Sequence, residues 1–140
     1  MHVWSFDDLG NEKNTFDVSE ALYVTEPGSG KMVRLYVVED QANWTIGGAL
    51  TDVSGNGYEE LTLSTNETEV VKLWDSPLII GTYDIVEDIN RNRVYDEGVD
   101  MVDSDILIGF DVIPEISSFT MLLLIALSAM ATILWRKMHV

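Results

Sequence analysis

The stretch Asp88-Ile-Asn90-Arg-Asn92-Arg-Val94-Tyr-Asp96-Glu-Gly98-Val-Asp100 carries oxygen-bearing side chains at alternate positions. Counted from Asp88, the first, third, fifth and ninth positions are Asp88, Asn90, Asn92 and Asp96, and the seventh, Val94, offers a main-chain carbonyl. A loop of the EF-hand type wraps a hard cation with this spacing. The chemistry points to calcium, which takes about six to eight oxygens in an adaptable cage, whereas zinc selects His and Cys. Two positions depart from the pattern. The sixth is Arg93 where a turn glycine is usual, and the twelfth is Val99 where a bidentate Glu would stand. Asp100, one step on, supplies that carboxylate, with Asp103 and Asp105 in reserve. The competing reading is a solvated acidic hairpin loop between a strand ending at Val86 and one starting at Ile106.

The elements that must hold such a loop are short and β-rich. Runs at 3–6, 21–25, 32–38, 44–46, 60–63, 70–74, 83–86 and 106–112 are separated by Gly, Pro, Asp and Asn turns, and no helical period runs through them. Ile106, Ile108, Phe110 and Val112 fall on one side of the last run, with Leu107, Gly109 and Asp111 on the other, the alternation of a half-buried strand. Seven or eight such strands within residues 1–113 predict an all-β domain, a two-sheet β-sandwich of immunoglobulin type with no disulfide between its sheets, since the chain has no Cys. Trp4, Trp44, Trp74 and Tyr83 are the expected core aromatics; the alternative is an aromatic platform for carbohydrate.

From Ile116 to Trp135 the chain is uncharged, and Arg136 and Lys137 follow at once. About 20 helical residues cover the ~30 Å apolar core of a bilayer, which predicts a single transmembrane helix over 116–135. The basic pair makes 136–140 a short cytoplasmic tail and puts residues 1–113 outside, with 114–115 as the hinge. All 24 acidic residues lie at or before Glu115, together with Lys13, Lys31, Arg34, Lys72, Arg91 and Arg93. So acidic an outer part disfavours nucleic acid and anionic surfaces as partners and leaves cations, basic partners and the lipid bilayer below. The first residues, Met-His-Val-Trp-Ser-Phe-Asp-Asp, lack the pattern of a secretory signal. Either the apolar tail directs insertion, or the chain is the C-terminal anchor domain of a longer surface protein. Outside the cell, Asn43-Trp-Thr and Asn66-Glu-Thr become glycosylation sequons. An enzyme is not expected, because His2 and His139 sit at the two extremes of the chain and leave no material for a His-based triad or zinc site.

The segment Gly81-Thr-Tyr-Asp-Ile-Val running into Glu-Asp-Ile-Asn-Arg-Asn-Arg-Val-Tyr-Asp-Glu-Gly-Val-Asp resembles the repeat end of archaeal cell-surface proteins of methanogens and their relatives. Asn14-Thr-Phe-Asp-Val-Ser-Glu-Ala-Leu-Tyr-Val is similar to the opening strands of those domains. Pro114-Glu115-Ile116, an apolar helix and Arg136-Lys137 together look like a PEF-CTERM sorting signal, with Ile116 in place of Phe. The resemblance implies recognition by an archaeosortase, cleavage near Pro114-Glu115 and transfer to a lipid anchor; an uncut span serving as permanent anchor is the alternative.

The combined expectation is a cell-surface structural or adhesion module in the cell membrane, single-pass, in contact with other envelope proteins or glycans. Calcium in the Asp88 loop would tie the last two strands together just above Pro114. A surface ligand-binding or carbohydrate-binding module is the competing function.

Overall fold

The structure, a computed structural model, describes residues 4–26, 28–55, 57–63, 67–103, 109–115 and 118–138, with the helical side chains described from residue 123. Among the described residues there are nine strands: β1 (Ser5–Phe6), β2 (Thr15–Asp17), β3 (Leu22–Glu26), β4 (Met32–Glu39), β5 (Glu59–Thr62), β6 (Glu69–Trp74), β7 (Gly81–Asp88), β8 (Met101–Val102) and β9 (Phe110–Ile113). One helix, α1 (Ser118–Met138), follows. The domain is all-β, and its strands form a three-stranded sheet, β1-β3-β6, and a six-stranded sheet, β2-β9-β7-β4-β5 with β8 beside β7.

Period-two alternation explains how the sheets meet. In β3 the residues Leu22, Val24 and Glu26 turn inward while Tyr23 and Thr25 stay half-buried. Leu73 and Trp74 of β6 join them, and the other sheet contributes Phe16, Leu35, Val37, Tyr83, Ile85, Phe110 and Val112 to the same cluster. The aromatic members meet edge to face, Trp74 on Tyr83 at 5.2 Å and Phe16 on Phe110 at 5.7 Å between ring centroids, as their quadrupoles favour. β4 and β7 are buried on both faces. Tyr36, Val38 and Val86 on the outer side are covered by Trp44, Leu50, Tyr58 and Val102, so the connection between β4 and β5 lies over the larger sheet.

Most of the expected strands are present, with differences that have local causes. Residues 44–46 form no strand. The Gly48 N–H donates to the Thr45 carbonyl at 2.9 Å and Gly47 takes φ 78°, which closes a turn there. Two short strands escape the periodic signal: β2, which pairs parallel with β9, and β8, which pairs antiparallel with β7 at Val86 and Glu87. In the last expected strand Phe110 and Val112 are buried as the alternation requires, while Ile106 and Ile108 lie outside the described residues. The helix runs through Arg136 and Lys137, which occupy its last turn.

Phe16, fully buried in the three-residue β2, holds the start of the chain onto β9. Phe16→Ala is expected to cost about 3–5 kcal/mol, the range for emptying a buried aromatic site. A shift of the urea midpoint corresponding to less than about 1 kcal/mol would show that β2 is an ornament on the sandwich.

Candidate metal centre

The loop begins where β7 ends, because Asp88, the last strand residue, is fully buried and its carboxylate turns the chain. Its Oδ1 accepts from the Asn92 N–H at 3.2 Å and its Oδ2 from the Arg93 N–H at 2.9 Å. Asn90 and Asn92 continue the winding by accepting, through Oδ1, from the main chain two residues on: Asn92 N–H at 3.4 Å and Val94 N–H at 3.1 Å. Asp100 closes the far side, its Oδ1 accepting from Ile89 N–H at 3.1 Å and its Oδ2 from Asp96 N–H at 2.8 Å. Asp96 takes both the Asn90 and the Asn92 carboxamides on a single oxygen, Oδ2. The residues singled out by spacing are thus brought together, and Asp100 closes the ring, as the one-residue slip at Val99 demands. Asp103 lies past β8, its N–H donating to the Ile85 carbonyl, and Asp105 falls outside the described residues.

Arg91 at φ 59° and Arg93 at φ 69° both sit in the left-handed region, so Arg93 adopts the backbone that a turn glycine would supply. For a residue with a Cβ this costs about 1–2 kcal/mol, offset here by the turn's bonds to Asp88. Both guanidinium groups turn away from the acids. Arg93 lies over the Tyr58 ring at 5.7 Å, and Arg91 reaches the Met32 sulfur. The ion pairs found among the described residues are Lys13–Glu20, Arg34–Glu60 and Lys72–Asp75, and none involves the loop. Burial pushes the Asp100 carboxyl up, its two N–H bonds oppose that, and the Asp88 and Asp96 charges raise it further. Three carboxylates therefore lie close together, Asp88 and Asp100 supported by backbone N–H groups and Asp96 by the two Asn carboxamides.

The loop is also fixed from outside. Val94 bridges Ala49, flanked by Tyr95 N–H to Gly48 O at 2.8 Å and Leu50 N–H to Arg93 O at 2.9 Å, and the Trp44 and Tyr95 rings meet at a tilt of 48° with centroids 5.0 Å apart. Among the described residues no group of three or more His, Cys, Asp and Glu side chains stands ready to hold a metal ion. The loop's donors are occupied by its own hydrogen bonds. An all-oxygen set of the kind calcium takes would have to be drawn from Asp88, Asp96, Asp100 and the Asn90 and Asn92 carboxamide oxygens, each of which accepts a hydrogen bond within the loop.

The placement of the loop corrects the sequence reading. Asp88 pairs with Arg34 at one end of β7, whereas Gly81 at its other end pairs with Val112, which leads to the helix. The eight-residue strand puts the loop roughly 23 Å from the stalk, so it cannot stiffen the Pro114 hinge. The acidic hairpin expected between the last two strands is instead the turn from β7 to β8, with β9 following later.

Sequence reasoning missed two buried acids at this same end. Glu26 and Glu87 are 1% and 4% exposed, and Glu26 Oε1 and Glu87 Oε2 have no hydrogen-bond partner among the described residues. Each follows two apolar residues at alternate positions, Leu22 and Val24 or Tyr83 and Ile85, which was the available signal. Burial pushes the Glu26 carboxyl up to about 8, and the neighbouring Glu87 charge adds to the rise. Of the other residues considered, Asn43 is exposed just past β4, and Asn66 lies outside the described residues. Pro114 and Glu115 are exposed after β9, and Ile116 lies outside the description. Trp74 and Tyr83 are core residues, Trp44 is half-buried and Trp4 is 40% exposed, so the tryptophans do not share one face. No family model, curated protein or solved structure matches the chain.

The raised Glu26 carboxyl sets a pH dependence. Between its ordinary value of 4.5 and about 8 the folded chain keeps a proton that the unfolded chain has released. Stability therefore falls as pH rises across that window, by up to about 1.4 kcal/mol per pH unit. In calcium-free buffer Glu26→Gln is expected to flatten this fall, read from urea midpoints at pH 5, 6.5 and 8; an unchanged slope would remove Glu26 from the account.

Proposed function

We propose that this chain is a membrane-anchored surface module, structural or adhesive, in which a calcium-stiffened β-sandwich of immunoglobulin type is carried on the helix Ser118–Met138. The observation that carries the reading is the helix itself. Every side chain described on it, 123–138, is exposed, including Leu123, Leu124, Ile125, Leu127, Ile133 and Leu134 at more than half of their surface. A soluble fold does not leave so continuous an apolar surface in water. Its described hydroxyls are satisfied internally, Ser128 donating to Leu124 O at 3.0 Å and Thr132 to Ser128 O at 3.1 Å, as an apolar medium requires. Among the described residues no helix is long and apolar enough to cross a membrane. The reading adds to them the uncharged sequence Ser-Phe-Thr-Met-Leu at 118–122, which makes 18 uncharged helical residues up to Trp135, about 27 Å at 1.5 Å each.

The strand order supports the immunoglobulin-type assignment. The first strands are divided between the two sheets, β1 on β3 and β2 parallel to β9, and the larger sheet runs β9-β7-β4-β5 beyond β2. Calcium in the Asp88–Asp100 loop would rigidify the end of the domain farthest from the membrane, where a partner or neighbouring envelope component is met. Exposed Pro114 and Glu115, between β9 and the helix, favour the second reading, in which the helix is a sorting address removed by an archaeosortase-like enzyme.

The full chain expressed in cells is expected to stay in the membrane pellet through high salt, calcium chelation and alkaline carbonate, and a variant lacking residues 118–138 to be released. Release of the full chain by carbonate would contradict the anchor. The intact mass of the retained species separates the two readings, ending at Val140 for a permanent span or near Glu115 with added lipid for a sorting signal.

A further inference from the structure

The end of the sandwich nearest the helix carries a group of aliphatic side chains that the core does not use. Leu78 is buried, but the next two residues, Ile79 and Ile80, are 61% and 58% exposed. They precede β7, and because Gly81 pairs with Val112, Ile80 stands beside Ile113, itself 43% exposed. The protrusion is built. Leu78 N–H donates to Val18 O at 2.9 Å, and the Tyr83 hydroxyl donates to the Ile79 carbonyl at 2.8 Å. Gly81 leaves room for that hydroxyl, which would lie 2.8 Å from any Cβ there. At the same end β1 runs out past Phe6, paired with Tyr23, into a tight turn in which Asp7 Oδ1 accepts from the Leu9 and Asn11 N–H groups at 2.9 Å. The residue at its tip is Leu9, 80% exposed.

We propose that this end of the domain, through Ile79, Ile80, Ile113 and Leu9, rests in the headgroup layer of the lipid surface that the helix enters. The proposal rests on the membrane reading of the helix and adds to it a fixed posture of the domain. The tether supplies the argument. From Ile113 to Ser118 the chain spans at most about 18 Å, so Ile113 and its neighbour Ile80 stay close to the start of the helix, with Leu9 at the same end of the domain. Aliphatic groups at that depth leave water at no cost to the fold, as on an interfacial helix. The surrounding exposed acids Asp8, Glu39, Asp75 and Glu115 fix the kind of surface, because an anionic leaflet would repel them and a zwitterionic one does not.

The chain has no Cys, so single nitroxide labels can be placed on the whole protein in phosphatidylcholine vesicles at Ile80→Cys, at Leu127→Cys in the helix and at Thr62→Cys on the distal end of β5. Power saturation against oxygen and a nickel chelate reads the depth of each. The expected result is oxygen-favoured relaxation at 127, headgroup depth at 80 and nickel-favoured relaxation at 62, with the label at 80 moving toward water when anionic lipid is added. Equal nickel access at 80 and 62, with 127 in lipid, would overturn the proposal and leave the anchor standing. Nickel access at 127 would remove the anchor and the proposal together. Protection of 80 from both reagents would mean that protein, such as a second copy, covers the patch, and would also overturn it.

Discussion

A carboxylate taken out of water must be neutralised by a proton, a cation or enough hydrogen-bond donors, and this domain gathers several at one end. Glu26 and Glu87 point between the sheets, and Asp88 is fully buried just beyond them. Asp100 closes the loop over these groups, and the local Arg91 and Arg93 side chains turn outward. Backbone N–H groups satisfy Asp88 and Asp100, whereas Glu26 is held neutral by burial. Such an arrangement costs free energy that the apolar cluster between the sheets has to offset. The proposed calcium ion would bring positive charge to this acid-rich end without adding a side chain.

The molecule is polar along β7. One end of that strand meets β9, from which the chain leads on to the helix, and a rim of exposed isoleucines; the other ends in Asp88 and the acid-rich loop. The connection between β4 and β5 joins the layers at the acidic end, covering the outer face of the larger sheet through Trp44, Leu50 and Tyr58 while Gly48 and Leu50 bond the loop backbone. Order in the loop is therefore coupled to packing on the sheet. A cation held by Asp88, Asp96 and Asp100 would reach the core through this contact and through Glu87.

Short β-rich runs between turn residues were enough to find β3, β4, β5, β6 and β7 and the buried half of β9; β3 alternates because one face packs against the other sheet, whereas β4 and β7 are covered on both faces. The pattern failed at residues 44–46, where Trp44 reads as a strand residue but is half-buried against the Tyr95 ring before a Gly-Gly turn. β2 has a single buried side chain, Phe16, and one residue makes no period. That Asp88, Asn90, Asn92, Asp96 and Asp100 come together in one loop was legible because their spacing is local. Its position was not. β7 and β9 are antiparallel neighbours, so a chain leaving β7 at Asp88 must travel back the length of the sheet before reaching Pro114, and only the pairing register carries that information. Glu26 and Glu87 stood at core positions by alternation, but their type outweighed their place.

The most direct test of a cation site in this loop is terbium luminescence. Trp44 and Tyr95 pack against each other beside the loop and can pass excitation to a bound lanthanide. Sensitised emission that calcium displaces far better than magnesium, and that is lost in the Asp88→Asn/Asp96→Asn double variant, is the result this account predicts. No emission from the folded protein, or emission undiminished in the double variant, would contradict it.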